Sequence, residues 1–305
     1  VPAGCNAVIM QENATANDEL ITINQTVSDG ENIRRQGEDI KIGQTVLVKG
    51  RRLTSADIGS LAGLGSQQIS VYKKLTIALI STGDELKKPG STLAPGQFYE
   101  SNGYTVNALL KRLDVDILNF GIVEDSIEKL TEVFSEADQK ADIVITSGGV
   151  SVGEADYTKT VLEDLGEIAF WKLAIKPGKP FAFGLLPNSY FIGLPGNPVS
   201  AMVTLHQLAV PLIRKASGEN PKTPLRLTAT TSAKIGKRPG RTDFQRGNYQ
   251  VNGQGQLMVS PNGAQGSGIL SSMSRANCYI ILEKERGSVT AGESVIIEPF
   301  DELLS

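Results

Sequence analysis

The chain has 305 residues, is 40% hydrophobic and carries a formal net charge of −3. That length accommodates roughly two domains with a sizeable core, or three small ones, and the mild acidity with no basic run gives no electrostatic case for nucleic acid. No apolar run approaches the ~18–20 residues of a membrane-spanning helix. Cys5 and Cys278 form no metal-ligand spacing and no disulfide framework, so a reducing cytosol is the default compartment. The single histidine, His206, sits in a helical pattern and reads as structural. A His-rich zinc site cannot be built, and with no nucleophile elbow a Ser-His-Asp triad is excluded as well. Catalysis, if any, falls to carboxylates, lysines, backbone amides and metal.

The chain begins at Val1 without a signal peptide, and its first ten residues read as the middle of a domain, so an N-terminal portion is expected to be absent. Residues 7–10, 19–23 and 45–48 are short apolar runs between turn residues and predict strands. Residues 53–64 predict a helix, with Thr54 or Ser55 as N-cap and Gly65 as its stop. From Lys74 the pattern changes. Residues 75–80 predict a buried strand, 101–113 a helix with Val106, Leu109, Leu110 and Leu113 on one face, and 115–120 a strand. Residues 126–137 predict a helix capped by Ser126, 142–146 a strand and 157–165 a helix. Residues 168–175, 180–184 and 190–194 are strand-like, and 199–215 predicts a long closing helix. After a linker signal at 217–221, short strands are predicted at 225–231, 242–249, 256–260, 278–283 and 294–298, with no convincing helix.

The fold class is therefore α/β: a central, mostly parallel sheet with helices on both faces, flanked by an incomplete N-terminal β-rich region and a small C-terminal all-β, barrel-like domain. The expected boundaries are 1–72, 73–218 and 219–305.

In an open parallel sheet, ligands bind beyond the carboxyl ends of the strands. Four strands here end in small, polar or acidic residues. The first leads into Ser81, Thr82, Gly83, Asp84 and Glu85, and the second into Glu124 and Asp125. A late strand leads into Pro195, Gly196, Asn197 and Pro198, with Pro198 at the first turn of a helix. The most informative loop follows the 142–146 strand, where residues 146–157 read TSGGVSVGEADY. Gly148, Gly149 and Gly153 allow backbone N–H groups to approach an anion, while Ser147 and Ser151 add hydroxyl donors. Glu154 and Asp156 place carboxylates beside the same spot, and acids next to an anion nest suggest a bridging divalent cation. The ligand class is phosphorylated or oxyanionic.

A basic cluster follows at Lys172, Lys176 and Lys179. On one continuous strand Lys172 and Lys176 share a face, so two ammonium groups are expected side by side, suited to a dianion. The stretch RRQGED at 34–39 is either a charged turn or a source of contacts from a neighbouring domain.

Five segments in this order, RRQGED at 34–39, STGDE at 81–85, TSGGVSVGEADY at 146–157, KPGKP at 176–180 and LPGNP at 194–198, resemble the molybdopterin molybdenumtransferases, the MoeA and gephyrin E-domain family. The resemblance covers essentially the whole chain, with on the order of a hundred family residues preceding the point that matches Val1. It implies insertion of molybdate into the dithiolene of molybdopterin adenylate with release of AMP, assisted by Mg²⁺. It also implies a cytoplasmic homodimer whose cleft draws on both subunits, and the molybdopterin adenylyltransferase as a further partner.

Carried onto this chain, Glu85, Asp125 and Asp156 match acidic, metal-holding site positions, and Asp39 matches an acid supplied by a neighbouring domain. Lys172 and Lys176 match lysines that attract molybdate or phosphate, Pro195 and Pro198 match the rigid loop beside the pterin, and Ser267 lies near a family serine of the β module. Thr82, Gly83 and Asp84 join the binding set, as do Ser147, Gly148, Gly149, Ser151, Gly153, Gly196 and Asn197. Two other readings remain: the sibling adenylyltransferase, which shares the middle domain, and a non-catalytic scaffold that grips a peptide as the gephyrin E domain does.

Overall fold

The computed structural model describes residues 1–150 and 157–305, with Phe170 and Trp171 described by backbone only. The chain divides into two compact units, Val1–Gln67 and Gln68–Ser305.

In the first unit the regular structure is a short antiparallel hairpin, β1 (Ala14–Asn17) and β2 (Leu20–Ile23), and a helix, α1 (Ser55–Gly63). The strands expected at 7–10 and 45–48 do not form. Val8 is held by isolated bonds, its N–H to Glu31 O and its carbonyl from Asn32 Nδ2, so no ladder develops. Residues 45–48 are bracketed by turns closed by Gln44 N–H to Lys41 O and Arg51 N–H to Val48 O. Helix α1 starts where expected. Thr54 and Asp57 form a reciprocal capping box, and the Arg51 guanidinium grips Asp57 with two bonds of 2.8 and 3.0 Å. Those bonds, with backbone and side-chain bonds from Thr54, hold the Asp57 carboxyl down at about 2.

The second unit opens with β3 (Thr76–Thr82), a small pair β4 (Leu86–Lys87) and β5 (Phe98–Tyr99), and α2 (Asn102–Lys111). It continues through β6 (Asp116–Val123), α3 (Ile127–Lys140), β7 (Ile143–Ser147), α4 (Tyr157–Leu165), β8 (Glu167–Lys172), β9 (Ile175–Lys176), β10 (Pro180–Leu185) and β11 (Tyr190–Leu194). The long closing helix is continuous but changes pitch, from α5 (Pro198–Thr204) through a π-helical turn at Leu205–Ala209 to α6 (Val210–Ala216).

The central sheet has the order β6-β3-β7-β11-β10-β8. Strands β6, β3, β7 and β11 are mutually parallel, and β10 is antiparallel to both β11 and β8. Strand β8 therefore points the same way as the first four, and five carboxyl ends meet along one rim. Alternation sorts the strand residues onto two cores. Ile77, Leu79, Ile143, Ile145, Ile192 and Leu194 pack against α2, α5 and α6. Ala78, Ile80, Val144 and Phe191 face α3 and α4.

The opposite rim is tied by Asp138, a buried carboxylate near the end of α3. It accepts from Asn188 N–H (3.0 Å), Asn188 Nδ2 (2.8 Å) and Ser189 Oγ (2.7 Å) in the β10–β11 turn. Asp138→Ala leaves three donors without their acceptor, an expected loss of about 3 kcal/mol or more. Because the turn lies at the far end of β11 from the rim loops, turnover per folded molecule should be unchanged. Chemical denaturation paired with activity per native molecule checks both halves.

The C-terminal part of this unit is β12 (Leu227–Thr231), β13 (Thr242–Val251), β14 (Leu257–Pro261), β15 (Cys278–Leu282) and β16 (Ser294–Pro299). The ladder β14-β12-β16-β15-β13 closes through a β13–β14 pairing into a five-stranded barrel around Ala229, Val259, Ile280 and Ile297. A short helix α7 (Ser271–Ser274) interrupts the expected all-β run.

Strand β9 corrects the expected strand at 168–175. The central-sheet strand stops at Lys172, which pairs with Pro180, and Leu173 N–H bonds to Lys179 O to close the intervening loop. Ile175 and Lys176 then pair with Thr242 and Asp243 of the barrel. Lys172 and Lys176 thus belong to different sheets, and the shared-face argument does not hold.

Candidate active site

The rim brings together the strand-end loops expected from sequence. Strand β3 delivers Thr82 and Gly83, both buried, then Asp84 and Glu85, both exposed; β6 delivers half-buried Asp125. Strand β7 delivers buried Ser147 and half-buried Gly148 and Gly149, and β11 delivers buried Pro195 followed by exposed Gly196 and Asn197 and half-buried Pro198. Lys172 is exposed at the same edge, at the end of β8.

The crossing of β3, β7 and β11 leaves no room for side chains. A Cβ at Gly148 would lie 2.6 Å from the Thr82 carbonyl oxygen, and the backbone there has φ +96°. A Cβ at Gly149 would lie 2.3 Å from Thr158 Oγ1. The Gly148 N–H donates to Leu194 O at 3.2 Å. This corrects part of the anion-nest expectation: Gly148 lets main chains approach closely, and its own donor is already engaged. Ser151, Gly153, Glu154 and Asp156 lie outside the described residues.

Among the described residues several buried polar atoms at this crossing have no partner: Thr82 Oγ1, Thr146 Oγ1, Thr158 Oγ1 and Asn102 Oδ1. The Asn102 amide meanwhile donates from Nδ2 to Gly196 O at 2.8 Å, which ties the start of α2 to the β11 loop. Unpartnered buried polar atoms are uncommon, and several gathered around one strand-end crossing fit a polar ligand there.

Beside the crossing is a cleft of about 380 Å³ lined by Gly83, Asp84, Lys87, Glu124, Asp125 and Ser126, among others. Asp125 N–H donates to Asp84 Oδ1 at 3.0 Å, which locks the β3 and β6 loops together. Burial, and then the neighbouring charges of Asp84 and Glu85, push the Asp125 carboxyl above its ordinary range. Mutual repulsion of this kind is relieved by a bound cation. Among the described residues no group of three or more His, Cys, Asp or Glu side chains could hold a metal ion.

The barrel approaches from the β11 side. Ser267 O accepts from Val199 N–H at 3.0 Å, next to Pro198, and Val199 and Val203 pack on Phe244, Met273 and Tyr279. Arg246 is buried on β13, donating from Nε to Ser272 Oγ (3.0 Å) and from an Nη to Gly266 O (3.1 Å). Lys176 Nζ stands 3.6 Å from Asp243 Oδ2, a buried carboxylate. Asp39 belongs to the first unit, where it pairs with Arg34 at 3.6 Å on an exposed surface.

Three family profiles match consecutive stretches: the MoeA N-terminal region (domain I and II) at residues 1–65, a probable molybdopterin binding domain at 78–215, and the MoeA C-terminal region (domain IV) at 228–300. A molybdopterin molybdenumtransferase of Haemophilus influenzae is 49% identical over 100% of this chain and 76% of the relative. The chain belongs to the MoeA family. A second family member, the molybdopterin molybdenumtransferase of Staphylococcus epidermidis, is 32% identical over 97% of this chain and 70% of its own length. Among solved MoeA structures, that of the molybdopterin biosynthesis MoeA protein from Pyrococcus horikoshii has a TM-score of 0.76 at 28% identity, covering 98% of this chain and 73% of that one.

Three polar residues of this MoeA-family chain escaped the sequence reading. Asn102 was read as the first turn of a helix; its bond to Gly196 is visible only when α2 meets β11. Glu100 is buried and accepts from Gly103 N–H at the same helix start, a cap that its place just before the helix could have signalled. Arg246 had a sequence signal too, a lone arginine inside the strand run Phe244-Gln245-Arg246.

Proposed function

We propose that this chain inserts molybdate into adenylylated molybdopterin and releases AMP, as a molybdopterin molybdenumtransferase of molybdenum cofactor biosynthesis. The observation that carries the reading is the convergence of the Thr82–Gly83, Asp125, Gly148–Gly149 and Pro195–Pro198 loops on one rim, in a chain related over its whole length to transferases of that name.

The chemistry follows from what each group can do. The close-packed glycines and the unpartnered Thr82 hydroxyl accept the polar phosphate end of the substrate, and the Pro195–Pro198 turn gives it a rigid wall. Lys172 and Lys176 draw the molybdate dianion. Glu85 and Asp125, with Asp156, are the residues proposed to hold Mg²⁺, which supplies charge neutralisation at the phosphate linkage when bound. The Asp84 carboxylate keeps the Asp125 loop in place by accepting from the Asp125 N–H. Asp39 completes the acidic set, in a homodimer whose cleft draws on both subunits. Cytoplasmic location and hand-over from the molybdopterin adenylyltransferase belong to the same proposal. Among the described residues no helix is long and apolar enough to cross a membrane.

The test is AMP release from preformed molybdopterin adenylate as molybdate is added. Molybdate-dependent AMP is the expected result. In a parallel assay, conversion of ATP and molybdopterin to the adenylate with release of pyrophosphate would reassign the chain as an adenylyltransferase, and no nucleotide chemistry in either assay would leave the scaffold reading.

A further inference from the structure

The loop that follows β11 has few anchors of its own. Pro195 and Pro198 have no backbone N–H to donate, and Gly196 and Asn197 between them are exposed. Leu194 O, just before the loop, accepts from Gly148 N–H at 3.2 Å, and Asn197 O accepts from Ala201 N–H of α5 at 2.9 Å. Among the described residues one side chain ties the loop from across the rim, Asn102, which donates from Nδ2 to Gly196 O at 2.8 Å. We propose that Asn102 is a positioning residue for the reaction: its carboxamide fixes Gly196 over the strand-end crossing, and turnover depends on that bond.

The tie lands on the crossing itself. A Cβ built on Gly196 would lie 3.9 Å from Gly148 Cα, so the carbonyl that Asn102 holds belongs to a residue packed on the close approach of β3 and β7. Asn102 is in turn mounted rigidly. Buried Glu100 takes the Gly103 N–H on one carboxylate oxygen, and its own N–H donates to Lys87 O at 2.8 Å. A Cβ at Gly103 would lie 2.9 Å from the other Glu100 oxygen and 3.0 Å from Ser81 Oγ of β3, so the first turn of α2 is packed hard against the rim. The arrangement also carries a cost. Asn102 is buried, and its Oδ1 has no partner among the described residues. An unbonded buried acceptor lowers stability, and turning the amide over would set Oδ1 against Gly196 O. The side chain is therefore kept for the one donor it directs at the loop, and local costs of this kind collect at functional sites.

The effect on turnover rests on the insertion reaction proposed above; the bond does not. Aspartate is the informative replacement, because it has the shape of asparagine and a donor that depends on pH. Ionised, it sets an oxygen against Gly196 O. Protonated, it donates an O–H where asparagine donates an N–H. Burial beside Glu100 and the Gly196 oxygen disfavours the charged form by up to ~3–5 pH units, whereas the N-terminus of α2 favours it by less than about one. The new carboxyl therefore titrates above the ordinary value of ~3.9, and the bond returns as pH falls through that titration.

The experiment compares the full chain with Asn102→Ala and Asn102→Asp. Hydrogen exchange read by mass spectrometry follows the peptide across residues 194–201, and AMP release from molybdopterin adenylate with molybdate gives kcat across the acid and neutral range. At neutral pH both variants should exchange that peptide about tenfold faster, leave the C-terminal half of α2 unchanged, and lose about tenfold or more in kcat. As pH falls, the Asp variant should recover relative to the parent and the Ala variant should not, a contrast that a general loss of stability does not produce. Asn102→Asp keeps the side-chain volume and puts an acid at a helix N-terminus, which covers the case in which Asn102→Ala does not fold. Parent-like exchange of residues 194–201 in both variants overturns the proposal, as does a kcat within about twofold of the parent in both, or an Asp variant that follows the Ala variant at every pH. A parent chain without molybdate-dependent AMP release removes the insertion reaction instead, and the exchange comparison then decides the tie alone.

Discussion

Alanine at position 148 is expected to reduce molybdate-dependent AMP release by about a hundredfold, for a change of one methyl group. Two independent constraints act on this residue. Its φ of +96° lies where L side chains are strained, a cost of about 1–3 kcal/mol. The added Cβ would also lie 2.6 Å from the Thr82 carbonyl oxygen, and main chain cannot swing aside as a flexible side chain can. Strand β7 must therefore move away from β3 at the point where the loops meet, carrying Gly149 and the β11 contact with it. Gly255→Ala is the control. Its φ is +78°, but no heavy atom lies within 4 Å of the built Cβ. That variant should lose stability through strain alone and keep its turnover. Normal AMP release by the Gly148 variant would show that close approach at this crossing is not needed for chemistry.

Asp125→Asn should lower turnover by about 10²–10³-fold while leaving the fold intact, because the structural bond at this position comes from its backbone N–H and survives the substitution. The carboxyl also has a pH signature. Burial and the charges of Asp84 and Glu85 raise it above the ordinary carboxylate range, so the folded chain holds this proton at a pH where the unfolded chain has released it. Its contribution to stability therefore falls as pH rises through the interval between the ordinary and the raised value. Glu85→Gln deletes one of the repelling charges, and the Asp125 titration should move down toward the ordinary range. Carbon-detected NMR of the side-chain carboxyl, recorded without added metal, measures that shift directly. A titration that stays in place in Glu85→Gln would mean that Glu85 does not act on Asp125, and would remove it from the acidic set.

The α/β part of the chain was legible because its signals are local. Continuous β-branched runs mark strands buried on both faces, and Ser126 and Thr54 cap helices from their own side chains, so these elements start within two residues of their expected places, although the helix capped by Ser126 runs three residues past its expected end. The strand-end rule located the rim without knowledge of strand order, because every parallel strand in such a sheet presents its carboxyl end on the same side. The failures were equally physical. Residues 45–48 have strand composition but turns on either side and no partner in register. The lysine pair failed because strand parity holds only while a strand continues, and the chain leaves one sheet at Lys172 and joins another at Ile175.

Residue types and their spacing alone determined that this chain builds a mostly parallel sheet with acidic, glycine-rich and proline-bounded loops at its strand ends. Periodicity, capping and turn chemistry act over a few residues and can be read in one dimension. Only the tertiary structure decided that Gly148 serves by closeness, that Asn102 bridges to Gly196, and that burial, and then two acidic neighbours from another strand end, raise Asp125. Each of these depends on which distant segments pack together, and such pairings are set by the whole core, not by any stretch of chain that contains the residues.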